Sequence, residues 1–295
     1  MTSSLIVVLA VEVAMEPENL ALRPRDVRFD WSALPAHWIP GEPFATHVFN
    51  VMHLLLPEGE RWFVKVFKEA LPLITDERLK EDVVGFIGQE AMHASAHQGA
   101  QDHLVNHGID PTPYVRQLEW FFRERLDRPD GGRRWLVARL SVIAAVEHMT
   151  AFLGHWVLNS PKLDEVDTDP TMLDLLRWHG AEEVEHRAVA YDLFAHVDGK
   201  FVNRVMAMFV AFPFLVWLWL RGVRYLMAQD PRITRKPRWR DLVRAGRRGL
   251  LPSVPYLAAA VFRYYKPGYH PSQEASTSQA VAYLATSPAA LAAEQ

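Results

Sequence analysis

Two stretches of this chain place a glutamate three residues ahead of a histidine. They are Glu90 and His93 in QEAMHASAH (89–97), and Glu183 and His186 in EEVEHRAVAY (182–191). Residues i and i+3 of a helix project from one face, so each pair offers a carboxylate and an imidazole to the same cation. Such ligands suit iron, manganese or zinc. A single pair does not close a site, and the plainer reading of one pair is the polar face of an ordinary helix. Cysteine is absent, which excludes disulfides, thiolate–zinc sites, iron–sulfur clusters and cysteine nucleophiles. Any metal must therefore be held by His, Asp and Glu.

Each pair has a glutamate candidate on the helix before it. Glu60, in PEGERWF, precedes Glu90 by 30 residues, and Glu147, in SVIAAVEHMTAF, precedes Glu183 by 36. Glu60 competes with Glu58 and Glu69. It is preferred because it follows Pro57 by three residues and leads directly into apolar residues; the alternative is a solvated glutamate near a helix start. Glu147 stands among apolar neighbours, where an unpaired carboxylate would be costly to bury. His148 points about 100° away round the same helix and reads as packing. His97 and His179 share faces with His93 and Glu183, and antiparallel pairing of their helices would put both on the same side of the site. They are candidate extra ligands, or groups hydrogen-bonded to ligands. Glu182, Glu185 and Asp192 are candidates for fixing a ligand imidazole's tautomer, with solvent exposure the default for the two glutamates.

Helical patterns carry these residues. Residues 22–46 read as an irregular wrapping segment rich in Pro and aromatics. Helices are expected over 47–70 with a start signal at Pro57, over 76–107, over 111–128, over 133–158 and over 170–196. No useful length between 47 and 200 alternates with period two, so the expected fold is all-α. The order Glu, Glu-x-x-His, long connection, Glu, Glu-x-x-His resembles the ferritin-like four-helix bundles that hold two iron or manganese ions. Extra helices follow it. Four carboxylates would balance most of the charge of two divalent ions, and two imidazoles would cap their outer faces.

With those residues in view, the chain resembles a bacterial family labelled "predicted metal-dependent hydrolase", of the ferritin-like superfamily. The resemblance rests on PEGE (57–60), GQEAMHASAH (88–97), AVEHMTA (145–151) and WHGAEEVEHRAVAYD (178–192), and covers roughly 25–225. It implies metal contacts from Glu60, Glu90, His93, Glu147, Glu183 and His186. The expected cofactor is two metal ions per chain, iron first and manganese second. The expected chemistry is oxidation or oxygenation of a small apolar substrate with O₂, served by an electron donor. The alternatives are a di-metal hydrolase acting on an ester or phosphoester, and a non-catalytic metal-binding or storage protein.

Composition adds a second theme. Hydrophobic residues make up 49% and charged residues 23% of 295 residues, as in an ordinary globular protein. Residues 205–220, VMAMFVAFPFLVWLWL, are uncharged. They lead into 221–248, where ten Arg/Lys face only Asp230 and Asp241 in a chain whose formal net charge is −3. An apolar helix beside a basic cluster is the composition of a peripheral membrane contact over 205–248; a buried or oligomer-interface helix, as in a homodimer, is the other reading. No nucleic-acid module accompanies the basic stretch. The expected organisation is a loose leader (1–24), a di-metal bundle (25–200), an apolar and basic appendage (201–270) and a flexible tail (271–295), in a cytoplasmic protein, with the inner face of the membrane as the alternative place.

Overall fold

The computed structural model describes residues 20–127 and 131–294. Among them the only regular structure is helical, as the sequence predicts. The leader expected over 1–24 falls outside the described residues up to position 19. Helix α1 runs Pro43–Ala70 and α2 Glu77–Asn106; a short connection folds them into an antiparallel pair. Asp76 caps α2 by accepting from Leu79 N at 2.9 Å. Then come α3, Thr112–Trp120, which widens into a π turn over Phe121–Leu126, and α4, Gly132–Leu158. After a single turn, α5 (Lys162–Glu165), the chain enters α6, Pro170–His186. Pro170 occupies the first turn of α6, and Asp169 caps it through Thr171 N and Met172 N.

Three of these elements depart from expectation for identifiable reasons. Pro57 does not start a helix; it lies inside α1. Proline lacks the N–H that would bond the carbonyl four residues back, which here is that of His53. The Gln101 side-chain amide donates to that carbonyl at 2.6 Å instead, so α2 repairs the bond that α1 cannot make. The helix expected over 170–196 is interrupted directly after His186, and α7 resumes at Val189–Val197. The stretch expected as a loose tail forms α11 (Thr277–Leu284) and α12 (Pro288–Ala293). Both pack on α6, because Asp174 accepts from Tyr283 Oη and Ser287 Oγ at 2.8 Å and from Ala289 N at 3.0 Å.

Helices α1, α2, α4 and α6–α7 pack against one another. α4 and α6 approach so closely that a Cβ on Gly154 would stand 2.4 Å from the Gly180 carbonyl oxygen; only glycine permits that crossing, one residue from His179. The irregular segment from residue 20 lies along α2, with Leu22 over Gly85 and Pro24 over Gly88, and this brings Arg25 to the core. Helix α8, Phe201–Gln229, packs on α1 and α4, with Gly222 against Val51 and Trp219 Nε1 donating to Val48 O at 2.8 Å. Both α4 and α8 are long and apolar enough to cross a membrane, but α4 is largely buried in the core whereas α8 leaves most of its surface uncovered. Helices α9 (Trp239–Arg247) and α10 (Val254–Tyr264) complete the fold.

Candidate metal centre

The six glutamates and histidines singled out by spacing converge. Glu90 from α2, Glu147 from α4, and Glu183 and His186 from α6 bring ligand atoms within 4.8 Å of one another; Glu60 from α1, His93 from α2 and His179 from α6 form a second such group. All seven are buried. The two groups touch through shared carboxylates. Glu183 Oε2 lies 3.4 Å from His186 Nε2, while its Oε1 lies 2.8 Å from His179 Nε2 and 3.6 Å from His93 Nδ1. Glu90 Oε1 likewise stands 3.4 Å from His186 Nε2 and 3.6 Å from His93 Nδ1. Glu147 Oε2 reaches His186 Nε2 at 3.1 Å.

A cation fits this arrangement because the oxygens have nothing else. Both carboxylate oxygens of Glu60, Glu90 and Glu147 and the Nδ1 atom of His93 are buried without a hydrogen-bond partner. Buried polar groups are rarely left in this state. The competitors of Glu60 are accounted for: Glu58 pairs with Arg61 and with Arg123, the latter at 2.8 Å, and Glu69 with Arg139 at 2.7 Å. Burial, together with the neighbouring carboxylates, holds Glu60 and Glu147 well above the usual carboxylate range. Burial and the Glu183 charge push Glu90 up to about 8. Burial acts the same way on Glu183, but the His186 and His179 imidazoles outweigh it and hold this carboxyl well below its usual value. His186 is the counterpart: burial lowers it, yet Glu183 and Glu147 keep it well above an ordinary imidazole.

A ring of hydrogen bonds aims the imidazoles. Glu182 Oε2 meets His93 Nε2 at 2.9 Å, which turns Nδ1 inward as the metal-facing atom. Gln89 Oε1 meets His186 Nδ1 at 3.2 Å and leaves Nε2 facing the carboxylates. The Gln89 amide then donates to Glu185 at 3.0 Å, and Arg25 clamps both Glu182 and Glu185 at 2.6 and 3.0 Å. Glu182 and Glu185 are thus buried supports and not solvated side chains. Arg25 and Gln89 escaped sequence reading. Gln89 adjoins Glu90, but a neutral amide carries no metal signal, and Arg25 sits in a segment with no helical period.

The additional histidines separate. His97 and His179 do lie on the same side, with His97 Nε2 2.5 Å from His179 Nδ1. His179 turns its Nε2 toward Glu183 and Glu60, the latter at 3.8 Å. His97 stands behind it, with its Nδ1 on His53 Nδ1 at 2.8 Å, and burial together with His179 holds it well below the usual imidazole range. His148 is bound by Tyr269 Oη at 2.6 Å and by the Ala260 carbonyl at 2.9 Å, a packing role. Asp192 does not support the centre: the break after His186 carries it to α7, where it pairs with His270 at 2.8 Å and is 42% exposed.

These protonation states predict how the metal-free protein responds to pH. The buried histidines driven low, such as His53 at about 3 against an ordinary 6.5, gain protons on unfolding and add stability as pH rises, but only up to about 6.5. Glu90 retains its proton in the folded chain up to about 8, whereas the unfolded chain has released it near 4.5. Between about 6.5 and 8 the folded state therefore binds more protons, and stability falls with rising pH. Thermal melts of chelator-treated protein across this window should show that decline, and Glu90→Gln should make it shallower, with the raised Glu60, Glu147 and His186 sustaining the rest. A melting temperature that rises from 6.5 to 8 would contradict the assignment.

Searches of curated proteins and of solved structures return no match. The model of one family, described as "Predicted metal-dependent hydrolase", matches residues 23–275, which takes in Arg25, all seven clustered ligand candidates and α8–α10. A buried His/Glu cluster in which the Glu60, Glu90 and Glu147 oxygens lack hydrogen-bond partners fits a metal-binding site, and the chain belongs to this family of predicted metal-dependent hydrolases.

Proposed function

We propose that this protein is a carboxylate-bridged dinuclear metal enzyme that oxidises an apolar organic substrate with O₂. Glu147 and His186 would hold one ion and Glu60, His93 and His179 the other, with Glu90 and Glu183 between them, in the manner of a ferritin-like bundle. Iron is the first candidate and manganese the second. The observation that carries the oxidative reading is a cavity of about 430 Å³ that ends on His179 and Glu183 and is otherwise lined almost wholly by apolar residues such as Met52, Met149, Leu153 and Trp219. Its size suits a small organic ligand. A bound pair of redox-active ions supplies oxygen-binding positions and electrons for attack on unactivated carbon, with an external donor closing the cycle. The chain's own part is to hold the ligands at fixed tautomers through Glu182 and Gln89, and to keep the substrate dry against Glu183.

Hydrolysis is the second reading, and the family's description favours it over oxidation. Two redox-inert ions could activate water and polarise an ester or phosphoester. Two assays separate the readings. Protein loaded with Fe(II) should consume O₂, and Glu147→Ala should lower the rate by at least about tenfold, since removing even a group hydrogen-bonded to a metal ligand costs that much. Ester or phosphodiester turnover by Mn- or Zn-loaded protein, with no O₂ uptake by the Fe(II) form, would replace oxidation with hydrolysis.

We further propose peripheral membrane contact through 205–248. Met206, Phe209, Val210, Val216, Trp217 and Leu220 are exposed along α8, and the exposed arginines Arg240, Arg247 and Arg248 lie on and just after α9. Apolar anchors beside cations suit an anionic bilayer surface. The protein should co-sediment with phosphatidylserine-containing vesicles and not with purely zwitterionic ones, and Trp217→Glu should abolish the binding. A stable dimer that ignores both vesicle types would assign the same face to a second copy of the chain.

A further inference from the structure

The cavity has two chemically distinct ends. Along α1 its lining residues run from Phe44 to Leu56, about 18 Å of helix rise. Leu56 lies one turn before Glu60, so that end meets the metal ligands. On α4 the lining runs from Val146, beside Glu147, to Trp156 and Val157, and Trp156 packs near Phe49 with ring centroids 6.3 Å apart. The far end is therefore the N-terminal end of α1. α8 crosses α1 at mid-wall, with Gly222 against Val51, and just past its C-terminal end Asp230 reaches His47, near the start of α1, at 3.0 Å; Arg224, between these two contacts, joins Arg238 in the cavity wall.

Among the described residues, Arg224 and Arg238 are the only Lys or Arg side chains in that wall. Both are exposed, and neither guanidinium forms an ion pair among the described residues. Three other arginines nearby are occupied: Arg232 pairs with Asp230 at 3.2 Å, Arg235 with Asp241 at 2.7 Å, and Arg248 with Glu42. Val216 and Leu220 line the cavity and are also 39% and 48% exposed, so the opening lies on the uncovered apolar stripe of α8. Arg224 continues that stripe one turn after Leu220.

From this geometry we infer that the cavity takes a single-chain amphiphile with an anionic head group, a carboxylate or a phosphate monoester. Its head rests on Arg224 and Arg238, and its acyl chain runs down the apolar wall toward Glu183. The chain enters by burial of its methylenes, each contributing about 0.8 kcal/mol, and the guanidinium pair fixes which end stays at the mouth. The substrate carbon presented at the centre then lies toward the far end of the chain from the head. This assignment rests on the dinuclear reading only in calling the ligand a substrate, because binding itself needs no metal.

The test is ligand binding to the metal-free full-length protein, read by calorimetry with palmitate, hexadecyl phosphate and hexadecanol. Palmitate and hexadecyl phosphate should bind more tightly than hexadecanol. Arg224→Ala together with Arg238→Ala should weaken the two anions by at least about tenfold, the worth of a charged hydrogen bond, and leave hexadecanol unchanged. A preference for palmitate would point to a free fatty acid and a preference for the phosphate to a lipid-type head, and either supports the assignment. Leu153→Trp, which fills the apolar wall, should abolish binding of all three. Failure of all three ligands to bind, or anion binding indifferent to the double arginine variant, would overturn the assignment while leaving the metal centre untouched. Binding as described in a protein that takes up no metal would sink the dinuclear reading alone.

Discussion

The structure turns on the burial of Glu60, Glu90, Glu147 and Glu183 at one point in a helical core. An ionised carboxylate without a partner is prohibitively costly in such surroundings, and mutual repulsion adds to the cost. The metal-free chain responds by keeping Glu60, Glu90 and Glu147 protonated more readily than usual and by pairing Glu183 with His186 and His179. Cations would remove the penalty and use the partnerless oxygens. The surrounding architecture serves that placement. Each of the helices α1, α2, α4 and α6 supplies at least one ligand candidate; Gly154 and Gly180 let α4 and α6 close on one another, and Gln101 mends the gap that Pro57 opens in α1.

Around this centre the molecule divides its polar and apolar work. On one side Glu182, Glu185, Gln89 and Arg25 form a hydrogen-bonded support that fixes His93 and His186. On the other, the cavity offers little but hydrocarbon until it reaches Arg224 and Arg238. That asymmetry suits a reaction on a dry, apolar chain more than one on a polar group, and it joins the proposed chemistry to the uncovered face of α8. A substrate carried in a membrane would meet the cavity mouth on the same surface that carries the apolar stripe.

The centre was more legible in the sequence than its surroundings. Helical period forces Glu90 with His93 and Glu183 with His186 onto shared faces, and repetition of the pattern in two halves separates it from a solvated helix surface. Glu147 was marked by its apolar neighbours. The role of His179 could be narrowed to two options but not decided, since which of two facing histidines points inward depends on helix rotation, not on spacing. Arg25 and the cavity were invisible for a related reason: both arise where segments distant in sequence meet. Asp192 was misplaced because the break after His186 follows from no proline or glycine. The C-terminal stretch looked loose from its small residues, yet Asp174 collects three donors from it.

On the proposed reading this buried cluster would hold two metal ions, with Glu90 and Glu183 placed to contact both. X-ray absorption spectroscopy on the protein as purified, with its metal content measured on the same sample, tests it most directly. The account predicts two ions per chain, first-shell scattering from oxygen and nitrogen only, and a metal–metal vector of about 3.5–4 Å, as in other two-metal sites. A single ion per chain, or two ions with no metal–metal scattering, would contradict it.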